Sequence, residues 1–81
     1  MKTNELKKGD CVQLMNGWFA TIEDNMKGDR RMATVEGFET EMGSIYSHDI
    51  RCKISAAGTD IAMEYTASQI KCREMAEQFF A

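Results

Sequence analysis

From Trp18 to Tyr46 the chain is divided into short alternating runs, WFATIED, RRMATVE and FETEM, separated by turns that carry Gly28, Gly37 and Gly43. A two-residue period over four to seven positions is the pattern of a strand with one face on a core. Proline is absent throughout, so nothing forbids a strongly bent antiparallel sheet around which the rest of the chain packs. Eighty-one residues suffice for one domain and not for two, and a domain of this size hides only roughly 60 to 65% of its extended-chain surface. A second copy or a partner that covers apolar surface would add to its stability.

The order of elements follows from the same alternation. Residues 1–8 read as a flexible arm anchored by Leu6, residues 9–65 as a small barrel, and residues 66–81 as a helix packed on or beside it. Gly9-Asp10 turns the chain into a first strand, Cys11 to Met15, with Val12 and Leu14 on one face. Asn16-Gly17 is the residue pair of a type I′ hairpin turn. The second strand then begins at Trp18, with Trp18, Ala20 and Ile22 on one face and Phe19, Thr21 and Glu23 on the other, Phe19 being available to the terminal helix. Gly28 takes the tight position of the next turn.

A third strand spans Arg30 to Glu36, and Gly37 ends or bends it. A fourth runs from Phe38 to Met42 with Glu39 and Glu41 facing water, and Gly43 and Ser44 lead on to Ile45 and Tyr46. Ser47-His48-Asp49 reads as a single helical turn. Ile50, Cys52 and Ile54 share a face of the fifth strand, a loop centred on Gly58 follows, and a last strand runs from Ile61 to Tyr65. Thr66 and Gln69 form a capping box, with Tyr65 and Ile70 placed as a hydrophobic staple. Beyond them Cys72, Met75, Ala76 and Phe79 make a stripe expected to be buried. The predicted fold is mainly β: an SH3-like antiparallel barrel of five to six strands with a C-terminal α-helix.

Charge and cysteine content narrow the function classes. Ten Lys and Arg stand against thirteen Asp and Glu, a formal charge of −3, and residues 23–41 alone carry −3. Nucleic-acid binding by counterion release calls for a basic excess, and none is visible. If nucleic acid is bound, Arg30, Arg31, Arg51 and Lys53 beside Trp18, Phe38 and Tyr46 would carry it, although two or three aromatics are already needed to fill so small a core.

Cys11, Cys52 and Cys72 form no close pair, so neither a disulfide framework nor a zinc knot is expected. No cofactor or metal is expected either. His48-Asp49, with Ser47 and Cys52 nearby, has the residue types of acid–base chemistry but no motif spacing, and the expected role is a structural turn capped by Asp49 or Ser47. The loop Asp24, Asn25, Lys27, Gly28, Asp29 lacks the ligand order of a calcium loop. No apolar run approaches the length of a signal peptide or a membrane span, which points to a cytoplasmic, membrane-free protein.

Seven methionines in so short a chain exceed ordinary need, and methionine serves surfaces that accept varied partners. Met15, Met26, Met42, Phe79, Phe80, Glu39 and Glu41 are the expected contact surface of a non-enzymatic module that binds a protein or a second copy of itself.

The runs GDCVQLMNGWFATIEDN, VEGFETEMGSIYSHDI and EYTASQIKCR resemble short uncharacterised proteins encoded by bacteriophages and prophages, over nearly the whole chain. The resemblance implies a small accessory protein acting on a host component and assigns no role to any residue. Mimicry of DNA by Glu36, Glu39 and Glu41 is a further expectation of that kind.

Overall fold

The computed structural model describes the backbone of residues 1–37 and 39–80 and the side chains of those residues as far as Met75. Its elements are β1 (Cys11–Leu14), β2 (Phe19–Ile22), β3 (Arg30–Glu36), β4 (Thr40–Tyr46), β5 (Ile50–Ile54), β6 (Asp60–Ala62) and α1 (Ala67–Phe80), with 3₁₀ turns at Thr3–Glu5 and Ser47–Asp49. All six strands lie in one antiparallel sheet in the order β4-β3-β2-β1-β5-β6. The expected closure into a barrel is not made, because β4 and β6 remain the two ends of the sheet.

The two-residue period gives β1, β3 and β5 their inward faces. Val12, Leu14, Ala20, Ile22, Ala33, Ile45 and Ile50 are buried together with Leu6 and Met63. Such a core is aliphatic. Trp18, Phe19 and Tyr46 all lie outside it, and of the described aromatics Tyr65 packs against it. Phe38 lies outside the described residues. Against β5, the register of β1 shifts between Gln13 and Leu14, an irregularity of the kind that increases local twist.

The first hairpin is not the type I′ turn its Asn-Gly pair suggests. No non-glycine residue among those described has a positive φ, whereas Gly17 sits at +90°. The Gly17 N–H donates to the Leu14 carbonyl at 2.9 Å and the Leu14 N–H to the Trp18 carbonyl at 2.7 Å. This is the three-residue loop in which an ordinary turn is followed by one left-handed glycine, so Asn16 is freed to accept the Trp18 N–H on its side chain at 3.0 Å.

Gly28 shows no positive φ, so the β2–β3 connection is not built on a left-handed glycine. Gly37 is required for a different reason: a β-carbon there would stand 2.5 Å from the Trp18 ring. The fourth strand is one seven-residue run through Gly43, longer than expected, and β6 is shorter.

The N-terminal arm is tied down along its length, in contrast to the flexible arm expected. Lys2 bridges Glu64 in parallel, Thr3 and Leu6 are buried, and the guanidinium of Arg31 reaches both. It is fully buried. Its Nη1 donates to the Thr3 carbonyl at 2.9 Å, Nη2 to the Leu6 and Asp24 carbonyls at 2.8 Å each, and Nε to Asp24 Oδ1 at 2.6 Å. Asp24 Oδ2 in turn accepts the Met32 N–H at 2.8 Å. One side chain thus joins the arm, the β2–β3 loop and the middle of the sheet.

The capping box forms as expected. Thr66 N–H donates to Gln69 Oε1 at 3.0 Å and Gln69 N–H to Thr66 Oγ1 at 3.1 Å. The staple does not follow it, and the stripe expected to be buried is exposed at Cys72 and Met75, while the Ala76 and Phe79 side chains lie outside the described residues. The Tyr65 ring is covered by the Arg73 guanidinium at 4.2 Å, and Ile70, Cys72 and Met75 are exposed.

Gln69 and Arg73, one turn apart, face inward, and α1 packs on the Ser47–Asp49 turn. Gln69 Nε2 donates to Asp29 Oδ1 at 2.7 Å. A glutamate at this position would keep the capping geometry but present a second carboxylate to Asp29. Gln69→Glu should therefore cost about 1 to 3 kcal/mol, the range for an unsatisfied buried polar group, in urea denaturation at pH 7. A cost that disappears below pH 4 would identify carboxylate repulsion as the cause.

Candidate functional site

The face of β2, β3 and β4 turned away from the core carries the most conspicuous apolar surface. Pairing of Thr21 with Thr34, Thr34 with Met42 and Met32 with Ser44 sets these residues side by side. Phe19 begins the same face on β2. Phe19 is 43% exposed, Met32 38% and Met42 65%. The Ser44 hydroxyl donates to Met32 Sδ at 3.5 Å, which leaves the methionine's methyl end for contact.

β4 is also an end strand of the sheet, and an unprotected edge is a template for pairing with another chain. Met15, in the first hairpin, and Met26, in the β2–β3 loop, are exposed as well, as are Glu39 and Glu41. The Phe79 and Phe80 side chains lie outside the described residues. Sequence reasoning missed Phe19 and Met32, yet both stand opposite in phase to their buried neighbours Ala20 and Ala33, which was the signal available.

The four basic residues proposed for nucleic acid do not form one surface. Arg31 is a correction: it is fully buried with its donors taken by Asp24, Thr3 and Leu6, and cannot reach a phosphate. Lys53 stands 3.5 Å from Asp10, and Arg51 donates to Gln13 Oε1 at 2.8 Å. Arg30 is exposed across from Tyr46.

His48 lines a cavity of about 300 Å³ between the Ser47–Asp49 turn and α1, with Asp29, Tyr46, Ser47, Ser68, Gln69 and Cys72. The residue types are those of nucleophilic chemistry; the bonding is that of a scaffold. Ser47 Oγ donates to the Asp29 carbonyl at 3.0 Å, and the Asp29 carboxylate accepts from Gln69. The His48 ring stacks on Tyr46 with centroids 5.6 Å apart, and its Nε2 is 3.7 Å from Asp49 Oδ1, beyond hydrogen-bond reach. Asp49 Oδ2 accepts the Tyr46 N–H at 3.1 Å, the capping role expected of it.

All three cysteines are free thiols. Burial, reinforced by the charge of Glu36, pushes the Cys11 thiol up. Cys52 is likewise raised, first by burial and then by Asp60, against a smaller opposing effect of Arg51 and Gln13. Both are poor nucleophiles in that state. Cys72, expected on a core face, is exposed. Among the described residues no group of three His, Cys, Asp or Glu could hold a metal ion, and no helix is long and apolar enough to cross a membrane.

Comparison with protein-family models, with curated proteins and with solved structures finds no match to this chain.

Proposed function

We propose that the protein is a non-enzymatic contact module that binds a protein partner or a second copy of itself through the outer face of β2–β4 and the adjoining edge of β4. The observation that carries this reading is the division of its large side chains. Among the described residues the buried core is aliphatic, with Tyr65 packed against it, while Phe19, Met32 and Met42 stand exposed on one face, where folding alone gives them no task. Exposed apolar groups gathered on one face mark interaction sites more often than singly scattered ones do, and methionines among them suit a surface that must adapt.

The strand order, with a 3₁₀ turn leading into β5, supports an SH3-like arrangement left open on the β4 side. If the resemblance to phage-encoded proteins reflects origin, the partner is a host component met in the cytoplasm. The nucleic-acid alternative loses Arg31 to the interior and has Lys53 and Arg51 already engaged, so it would rest on Arg30 alone among the four.

Sedimentation equilibrium and capture from lysate test the reading together. Phe19→Ser and Met42→Ser should abolish whatever self-association or capture the parent shows, with the urea midpoint nearly unchanged. A parent protein that stays monomeric and captures nothing would end this proposal. So would binding that survives both substitutions.

A further inference from the structure

We infer that two copies of the protein join edge to edge, β4 of one pairing antiparallel with β4 of the other about a two-fold axis at Gly43. The inference rests on the reading above and names both the partner, a second copy, and the groups that hold it, the backbone of β4.

The two ends of the sheet are not alike. β6 is three residues long, and the N-terminal arm is bonded to its last residue and the stretch beyond: the Met1 amino group donates to the Ala62 carbonyl at 3.1 Å, and the Glu64 N–H donates to the Met1 carbonyl at 2.6 Å. β4 pairs with β3 over seven residues in unbroken register. It holds no proline, lysine or bulge, the usual guards of an edge, and Thr40, Glu41, Met42 and Ser44 are exposed. Copies that add strand to strand therefore meet β4 to β4, a contact between identical surfaces that closes as a dimer.

The free backbone groups can be named. The Gly37 N–H donates to the Glu39 carbonyl at 3.3 Å and the Ser47 N–H to the Asp29 carbonyl at 2.7 Å, so the odd-numbered residues carry the ladder between β3 and β4. Antiparallel alternation then turns the N–H and C=O of Met42 and Ser44 away from β3. Set opposite each other across the axis, Met42 of one copy and Ser44 of the other exchange both of their bonds, and the symmetric pair does the same.

Two observations fix the axis at Gly43. Were it at Met42, the two copies of Glu41 would be diagonal neighbours about 7 to 8 Å apart, whereas an axis at Gly43 holds them about 14 Å apart. Were it at Ser44, the ladder would call on the Tyr46 N–H, which already donates to Asp49 Oδ2 at 3.1 Å. An axis at Gly43 also brings the exposed Met42 of each copy within side-chain reach of the other. This reciprocal fit selects a second copy over an unrelated strand.

Sedimentation equilibrium of the full chain should show monomer and dimer with no larger species. Ser44→Pro removes an outward N–H, a change that an edge strand tolerates. It should raise the dimer dissociation constant about tenfold and leave the urea midpoint of the diluted protein unchanged. Gly43→Cys is a check that does not depend on proline. A β-carbon at Gly43 meets nothing within 4 Å, and the facing α-carbons of a non-hydrogen-bonded pair lie about 4.5 Å apart, within disulfide range. Mild oxidation should link two copies through position 43, as read by peptide mass spectrometry.

Species larger than a dimer, no link through position 43, or an unchanged dissociation constant in folded Ser44→Pro would each overturn edge pairing. A parent monomeric at every concentration would overturn it too. If that monomer captured another protein through Phe19 and Met42, the contact module would stand and only its partner would change.

Discussion

Replacing Arg31 with alanine is expected to remove a large part of the protein's stability. A chain of this length is stable by about 4 to 12 kcal/mol, and removing one partner of a buried, hydrogen-bonded ion pair costs about 3 to 5 kcal/mol. The guanidinium donates to the Thr3 and Leu6 carbonyls in the interior and meets Asp24 at the same time. Its loss leaves the Leu6 carbonyl without this donor and the Asp24 carboxylate without its cation, and loosens the arm that carries Leu6. Urea denaturation should show the midpoint collapse, with Arg31→Lys intermediate, because an ammonium cannot span acceptors on three residues.

The same pair sets an acid limit. For Asp24, burial works to raise the carboxyl pKa. Hydrogen bonds from the Met32 N–H, Arg31 and the Met26 N–H, together with the guanidinium charge, outweigh it and hold the group below its ordinary 3.8. A depressed folded-state pKa gives stability that is complete above the unfolded value and is lost as pH falls through the folded one. The parent should therefore lose stability from about pH 4 downward, and Asp24→Asn should lose that part of the acid slope. An unaltered slope in the variant would show that other carboxylates govern acid unfolding.

Much of this framework was legible from the alternation of residue types. The limits of β3 and β5, the helical turn at Ser47–Asp49 and the Thr66/Gln69 box follow from period, turn chemistry and capping, which are local. What escaped was non-local. Arg31 shares the phase of Ala33 and Val35 and so belongs on the inner face by period alone, but a charge is placed outside unless its partners are known. Those partners, Thr3, Leu6 and Asp24, are 28, 25 and 7 residues away.

The C-terminal helix forms where expected, but the facing of its residues as far as Met75 escaped for a related reason. An apolar stripe is assigned inward because burial usually decides orientation, whereas α1 is oriented by polar bonds: Gln69 to Asp29, and Arg73 over Tyr65 and to the His48 carbonyl. Neither distant carboxylate nor carbonyl is visible in a window of helical residues. The candidate contact face was half legible. Exposure of Met15, Met26 and Met42 agrees with the loop and outward positions read from sequence. Phe19 and Met32 needed the sheet register to place them on one face, Phe19 opposite Glu36 and Met32 opposite Ser44.

Ile22→Ala and Phe19→Ala, three residues apart on one strand, should behave in opposite ways. Ile22 has no exposed surface and sits in the aliphatic core, so truncation loses both transfer energy and packing, about 2 to 5 kcal/mol. That is enough to unfold a sizeable fraction of a domain this small. Phe19 points to the other face, where truncation removes area already partly in water, and its cost should stay at about 1 kcal/mol or less.

Association should show the reverse order once each variant is compared at conditions where it is folded. Ile22→Ala should retain it, and Phe19→Ala should lose it, because a contact surface is read by what touches it and not by what supports it. If Phe19→Ala instead destabilised the monomer as much as Ile22→Ala, Phe19 would be core in solution, and the apolar face would lose its claim to be a site.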